Sequence, residues 1–309
     1  MPKLLKLTII SIFVSIIIAI IFFSYQAVSD QQWIPVRGGI PFGISGMTLI
    51  HQPIQKPSQT LDLMIVHDNK QPNQGRLAII SINDNKQLKY FPLKWPSEIN
   101  LPLDLEALAS IPGTNNLEFI AVTSAGKAYH LKLDAQKQHL FILGEFELPD
   151  ITKNSNFESF GLQNIDGKLI AIWAHRGESE EPAKIYWGIL DLKKYQINLA
   201  GTADFQVPFP GGNVRHISDI KVDNAGIVYI SAASDAGNDG PFESAVYVAG
   251  YLGSFGNKIF WRQNDKLFPI YRDHHHKIEG LELIPGLTGG VILGTDDENL
   301  GSYVYMIGN

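Results

Sequence analysis

The sequence predicts an all-β chain, a β-propeller of five blades closed by an N-terminal strand. One phrase recurs five times at near-constant spacing, each copy leads into short β-rich runs and turn residues, and no window keeps a helical period. The copies read GISGMTLI at 43–50, DLEALASI at 104–111, FESFGLQ at 157–163, ISDIKVD at 217–223 and IEGLELI at 278–284. Ser45, Glu106, Glu158, Asp219 and Glu279 each stand just before an alternating apolar run, at intervals of 61, 52, 61 and 60 residues.

Each phrase is one strand, and the segments after it repeat as well. A second run comes next (LDLMIVH, LEFIAVTS, KLIAIWAH, IVYISAAS, GVILGT), then a third (RLAIISI, KAYHLKL, KIYWGIL, SAVYVAG, SYVYMI). β-branched and aromatic residues between Gly, Asn and Asp turns form antiparallel strands. Between the third run and the next phrase 20 to 35 residues remain, room for a fourth strand. Four strands per repeat around an axis is a propeller blade. The fifth repeat ends at Asn309 after three strands, and QQWIPVRGGIPF at 31–42 has no partner. Pairing the two closes the ring and removes the raw edges of an open sheet. A sixth blade would have to lie in 190–215 or 250–273, each too short for four strands.

Ahead of this single domain, 30–309, residues 1–29 read as a signal peptide or an N-terminal membrane anchor. Lys3 and Lys6 precede 17 residues, Leu7 to Phe23, broken only by Thr8, Ser11 and Ser15. Charge before apolar is the arrangement of an export segment, and the length fits either a cleaved signal or a short span. Both place the domain in the periplasm or outside the cell. The chain has no cysteine, so disulfides, zinc thiolates and thiol nucleophiles are excluded. Its net charge of -6, without a basic run, excludes a phosphate-backbone partner. The expected partners are a small-molecule ligand or another extracytoplasmic protein, met by a monomer that touches a membrane only through its N-terminal segment.

Propeller connectivity predicts where a site lies. In an antiparallel blade the first strand starts on the face where the second ends. That gathers Glu106, Glu158, Asp219 and Glu279 with the second-strand ends His67-Asp68, Ser124, His175-Arg176, Asp235 and Asp296-Asp297 around one channel mouth. Asp104, Arg215-His216 and His274 to His276, just ahead of the phrases, join them. Close carboxylates disfavour one another's ionisation, and a cation relieves the conflict. Oxygen donors without sulfur point to Ca²⁺ or Mg²⁺, and Ca²⁺ accepts the irregular shell such a ring supplies, with Glu106, Glu158, Asp219, Glu279 and Asp296 as metal ligands. Ser45, His67, Asp68, His175, Arg176, Arg215, His216, Asp235, His276 and Asp297 are the ligand-binding candidates. The competing reading makes the acids hydrogen-bond acceptors for the neighbouring blade.

Other signals are weaker. DAGNDGPFE at 235–243 matches a calcium loop at only three positions and reads as an acidic turn. Consecutive side chains of extended backbone point alternately, so the three histidines cannot share one metal. No nucleophile elbow, HExxH, phosphate loop or dinucleotide fingerprint occurs. Ser45 or Ser124 with His175 or His216 and Asp219 could form a triad only spatially. A carboxylate pair of glycosidase type would sit at this same mouth, but Trp173 and Trp187 lie inside strand runs, as core residues rather than sugar platforms.

GISGM, DLEAL, FESFGL, ISDI and KIEGL resemble the repeated phrases of the SdiA-regulated domain family and of the "esterase-like activity of phytase" family, and VILGTDDENLGSYVY at 291–305 is similar to the latter. The resemblance spans about 43–305. It implies an exported, calcium-associated propeller with a phosphoester-hydrolase role, in which Ser45, Glu106, Glu158, Asp219 and Glu279 match the family's repeated positions. Ala107, Ser159 and Asp219 depart from its glutamate-glycine pairing. The expected function is therefore a ligand- or partner-binding module with a Ca²⁺-bearing mouth. The alternatives are a metal-dependent phosphoester hydrolase and a purely structural scaffold. Arg176, Arg215, Arg272 and Lys277 decide the hydrolase reading, since phosphate needs free cations at the mouth.

Overall fold

The computed structural model describes residues 33–50, 60–114, 117–256, 258–285 and 289–308. Four antiparallel strands per blade repeat five times. Blade 1 comprises Gly46–Leu49, Leu61–Val66, Leu77–Ile82 and Leu88–Leu93. Blade 2 comprises Leu105–Ser110, Glu118–Thr123, Lys127–Leu133 and Leu140–Glu147, and blade 3 Phe157–Ile165, Lys168–His175, Ala183–Asp191 and Gln196–Phe205. In blade 4, Val214–Val222, Ile227–Ser234 and the long Ser244–Phe255 are edged by two short strands, Lys258–Gln263 and Pro269–Asp273. These two strands fill the 250–273 interval in place of a sixth blade.

Blade 5 takes Ile278–Leu283, Val291–Thr295 and Ser302–Ile307 from the end of the chain, and Ile34–Arg37 from its beginning. Ile34 pairs with Val304 and Pro35 with Tyr303, the closure expected from the unpaired QQWIPVRGGIPF. The described residues contain only two single-turn 3₁₀ helices, Ile40–Phe42 and Glu298–Leu300. No helix among them is long and apolar enough to cross a membrane, and the run Leu7 to Phe23 lies outside the described residues.

Near-continuous apolar strands follow from burial on both faces. In LDLMIV, Leu63 and Ile65 pack toward blade 5 with Ile292 and Val304, whereas Met64 and Val66 pack toward blade 2 with Leu108 and Phe119. Ala107, Ile120 and Trp173 fill the space between blades 2 and 3, and Ile172, Ile185, Ile220 and Val228 that between blades 3 and 4. Trp173 stacks on Tyr186 at 5.5 Å between centroids and Trp187 is buried, as core residues. Small residues set the inner diameter. A Cβ on Gly46 would come within 2.7 Å of the Glu106 carbonyl oxygen, so only glycine lets the first strands of blades 1 and 2 approach this closely.

Candidate functional site

Three of the five phrase residues reach the mouth by the same local device. Leu105 pairs with Thr123 and Ala107 with Val122, which leaves Glu106 as the extra residue of a β-bulge. Glu158 is extra between Phe157 and Ser159, and Glu279 between Ile278 and Gly280. A bulge turns one side chain out of the pleat, here toward the axis. All three glutamates are buried.

Blade 4 departs from this pattern and corrects one assignment. Its irregularity runs from Arg215 to Asp219, well beyond the single extra residue of the other blades. Asp219 pairs with Ser231, the register position that Glu282 holds opposite Ile292 in blade 5 and Thr48 holds opposite Met64 in blade 1. These three side chains share one task. Thr48 Oγ accepts the Ser110 N–H at 3.2 Å, Glu282 Oε2 the Leu49 N–H at 3.2 Å, and Asp219 Oδ2 the Leu281 N–H at 2.8 Å. Each ties its first strand to the next blade. Asp219 also receives Lys221 Nζ at 2.9 Å on both oxygens. Burial pushes its carboxyl up to about 6 against the pull of Lys221 and of the N–H donors. It is an inter-blade peg rather than a member of the mouth ring.

Arg215 occupies the place the missing acid leaves. Its Nη1 donates to Glu279 at 2.6 Å and to Glu158 at 3.4 Å, and its Nη2 to Asp235 at 2.5 Å. Arg176 Nη1 holds the other Glu158 oxygen at 2.9 Å. Lys277, buried, places its ammonium 2.6 Å from Glu298, 3.2 Å from Glu279 and 3.7 Å from Asp296. Burial drives the Asp296 carboxyl well above its usual range, helped by Glu279, Asp68 and Glu298 and opposed by Lys277. Blades 3 to 5 thus carry a network of charge-assisted bonds and ion pairs.

The other side of the mouth is built differently. Oxygens of Asp68, Asp104 and Glu106 lie within 4.8 Å of one another. Asp104 has a left-handed backbone (φ 62°), tolerated by Asp, and its N–H and C=O bond to Asn69 and Ser124. Its carboxylate accepts Ser124 Oγ–H at 2.6 Å and meets Lys70 at 2.9 Å. Lys70 is the one cation in contact with the trio among the described residues, and it is exposed. Burial, then Glu158, Asp68, Asp104 and Glu279, raises the Glu106 carboxyl far above its ordinary value. Burial with Glu279 and Asp104 lifts Asp68 to about 6.

The remaining candidates hold structure. His67 contacts Gly43 O at 2.5 Å and Tyr90 OH at 3.1 Å, and burial lowers it to about 4. His216 accepts the Val207 N–H and contacts Ser179 O, while His175 contacts Asn154 O and accepts the Gly177 N–H. Ser124 is bound to Asp104, not to either histidine, and the buried Ser45 Oγ has no partner, so the triad is not assembled. Asp297 meets His276 at 2.5 Å and caps the Lys277 N–H at 2.7 Å. His274 instead meets Glu243, so the histidine run diverges. Asp235 pairs with Arg215 and Asp239 accepts from Asn299, the acidic turn expected of 235–243. Of the five acids expected as metal ligands, Glu106 lies with Asp68 and Asp104, Asp219 pairs with Lys221, and Glu158, Glu279 and Asp296 face Arg215, Arg176 and Lys277. Asp104 and Lys277 lay in reach of the connectivity argument. Lys70 carried no sequence signal.

No family model matches the chain, and no curated protein does. Solved structures match the fold. An exo-1,5-alpha-L-arabinanase from a bovine ruminal metagenomic library is 11% identical with a TM-score of 0.51, over 85% of this chain and 92% of that one. An alpha-L-arabinofuranosidase from Podospora anserina in complex with cellotriose is 11% identical with a TM-score of 0.51, over 90% and 96%. An endo-1,4-beta-xylanase from Bacteroides thetaiotaomicron is 10% identical with a TM-score of 0.51, over 81% and 88%. The chain is a five-bladed β-propeller similar in fold to these glycoside hydrolases.

These comparisons overturn the expected function. The neighbours in fold are named as an arabinanase, an arabinofuranosidase and a xylanase, and not as ligand- or partner-binding modules or phosphoester hydrolases. The site gives a physical reason against phosphate. Arg176, Arg215 and Lys277 do face the mouth, but carboxylates occupy all three, and Arg272 lies 4.8 Å over the Phe209 ring instead. The two phrase-sharing families find no support beyond the propeller itself.

Proposed function

We propose that the chain is a hydrolase of glycosidic bonds, with the Asp68–Asp104–Glu106 trio as its reacting centre. The single observation behind this reading is the spacing of at most 4.8 Å between the trio's oxygens. It lies close to the roughly 5–5.5 Å of retaining glycosidases and below the roughly 6.5–9.5 Å of inverting ones. Glu106, kept protonated by burial and four neighbouring carboxylates, is the acid. Asp104, held by Lys70 and Ser124, is the nucleophile. Asp104 bonds to the anomeric carbon as Glu106 gives its proton to the departing oxygen. Water then replaces Asp104 and returns a proton to Glu106. Burial that raises a carboxyl in this way is how a site keeps an acid protonated at neutral pH.

The test is turnover of aryl arabinofuranosides, aryl xylosides and the corresponding oligosaccharides by the purified full chain. Asp104→Asn and Glu106→Gln should each lower kcat by about 10²-fold or more with melting retained. Absence of turnover on the whole panel rejects the reading.

The same crowding supports a second one. Three carboxylates with hard oxygen donors and one exposed lysine fit Ca²⁺, which takes six to eight oxygens, water supplying the rest. Bound there, the ion would supply charge neutralisation and hold Glu106 ionised. Asp68, Asp104 and Glu106 would be its ligands. A melting temperature that climbs with calcium, equivalent to about 2.7 kcal/mol at a hundredfold excess over Kd, supports this reading. Turnover that calcium abolishes would show that proton and cation compete for one pocket.

A further inference from the structure

The end of the propeller opposite the mouth carries a feature that neither reading uses. Strands Ser244–Phe255 and Lys258–Gln263 form the outer hairpin of blade 4, with Tyr251 opposite Arg262, Gly253 opposite Phe260 and Phe255 opposite Lys258. Alternation puts all six on one face. On the other face Ile259 joins the core between blades 3 and 4 and Trp261 packs against it. The outward face therefore presents Tyr251, Phe255 and Phe260 with Lys258 and Arg262, and no acid. The Tyr251 and Phe260 rings lie 5.9 Å apart over Gly253, where a Cβ would meet them at 2.5 and 2.8 Å. Phe255, at the tip, is 84% exposed.

Contiguous exposed apolar side chains mark an interaction surface, whereas single scattered ones do not. The tips joining the third and fourth strands of blades 1, 2 and 3 (NDNKQ at 83–87, DAQKQH at 134–139 and DLKKYQ at 191–196) expose no large apolar side chain, although their fourth strands expose Phe91, Phe141, Leu143 and Leu199 singly. The blade 4 tip is also braced at its root. Lys168 Nζ donates to Gly256 O at 2.7 Å and Ser254 Oγ donates to Asp166. Charge agrees with placement. The hairpin face carries Lys258 and Arg262 and no acid, within a protein of net charge -6.

We infer that the blade 4 hairpin rests on an anionic lipid surface, with Phe255 entering the interface and Lys258 and Arg262 meeting headgroups, so that the mouth faces away from the membrane. Aromatic tips flanked by cations suit that boundary, where an apolar body and a charged head are accommodated together. This goes beyond contact through the N-terminal segment alone, and it is independent of the chemistry at the mouth.

The test uses the full chain in vesicles of phosphatidylcholine, with and without a third as much phosphatidylglycerol, read by amide hydrogen exchange. Residues 251–263 should exchange more slowly on the anionic vesicles, while 83–87, 134–139 and 191–196 stay unchanged. Lys258→Glu should reduce the protection by about fivefold or more, and raised salt should do the same. Phe255→Ser should remove it with melting unaltered, since the side chain has few neighbours to lose. Equal exchange on both vesicles overturns the inference. Protection that ignores lipid charge but grows with protein concentration also overturns it, in favour of a second copy.

Discussion

The two halves of the mouth resolve the same problem differently. On the side of blades 3 to 5, Glu158, Asp235, Glu279, Asp296 and Glu298 are laced to Arg176, Arg215 and Lys277. On the side of blades 1 and 2, Asp68, Asp104 and Glu106 crowd together with only Lys70 beside them among the described residues. Removing a charge should therefore have opposite signs on the two sides. Where charges are matched, loss of one partner strands the others in a low-dielectric interior. Where like charges are in excess, loss of one relieves the rest. The matched half is architecture, and the unmatched half keeps an excess of like charge.

The largest break in this contrast comes from Arg215→Ala. It leaves Glu158, Glu279 and Asp235 without their shared partner, and breaking a buried pair in this way costs about 3–5 kcal/mol. Arg215→Lys should recover only part, because an ammonium is a point charge that cannot fork among three carboxylates. Glu106→Gln, on the unmatched side, should be neutral or stabilising above neutral pH. Urea denaturation of the three variants reads the contrast directly. Equal destabilisation by Arg215→Ala and Glu106→Gln would mean that the halves do not differ.

Much of this was legible in the sequence. The phrase period carried the blade count, the surplus QQWIPVRGGIPF carried the closure, and strand connectivity brought Asp68, Asp104, Glu106 and Asp296 to one rim. Two things could not be read. ISDI looks like the other phrases, so by sequence Asp219 belongs with the mouth. Only the longer bulge of blade 4, which local sequence does not encode, moves it to the register of Glu282 and puts Arg215 in its place. Nor does sequence say which cation answers which acid. Lys277 and Lys70 each precede or follow an acidic position by two residues, yet one is buried among three carboxylates and the other is exposed beside one.

A medium effect tests packing at the same two places. A Cβ on Gly43 would lie 2.1 Å from Asp296 Oδ1, and the other oxygen of Asp296 faces Lys277 at 3.7 Å. Gly43→Ala should cost about 1–3 kcal/mol, the range for forcing atoms into a filled site. Gly75, in the loop that accepts a hydrogen bond from Asn69 beside Asp68, has nothing within 4 Å of its would-be Cβ. Gly75→Ala should change stability by no more than about 0.5 kcal/mol, as surface substitutions do. A large loss at Gly75 would show that the open half is packed as tightly as the closed one.

The smallest effect is a pH slope, and it separates neighbours. Burial with Glu279 and Asp104 lifts Asp68 to about 6 from an ordinary 3.8, so between those values the folded chain holds more protons than the unfolded one. Its contribution to stability is full below about 4 and is lost as pH rises toward 6. His67 works the other way. Burial lowers it from 6.5 to about 4, so the unfolded chain binds the extra proton and stability is lost as pH falls through that window. From pH 4 to 6 the two slopes oppose each other, each bounded by about 1.4 kcal/mol per pH unit for one proton, with Asp68 somewhat below that because it is only half-buried. Asp68→Asn should therefore expose the His67 slope, giving a chain whose denaturation midpoint climbs from pH 4 to 6 more steeply than the parent's. Parallel curves for the two proteins would mean that the crowding at Asp68 is already relieved, and a parent curve that steepens only when calcium is added would identify what relieves it.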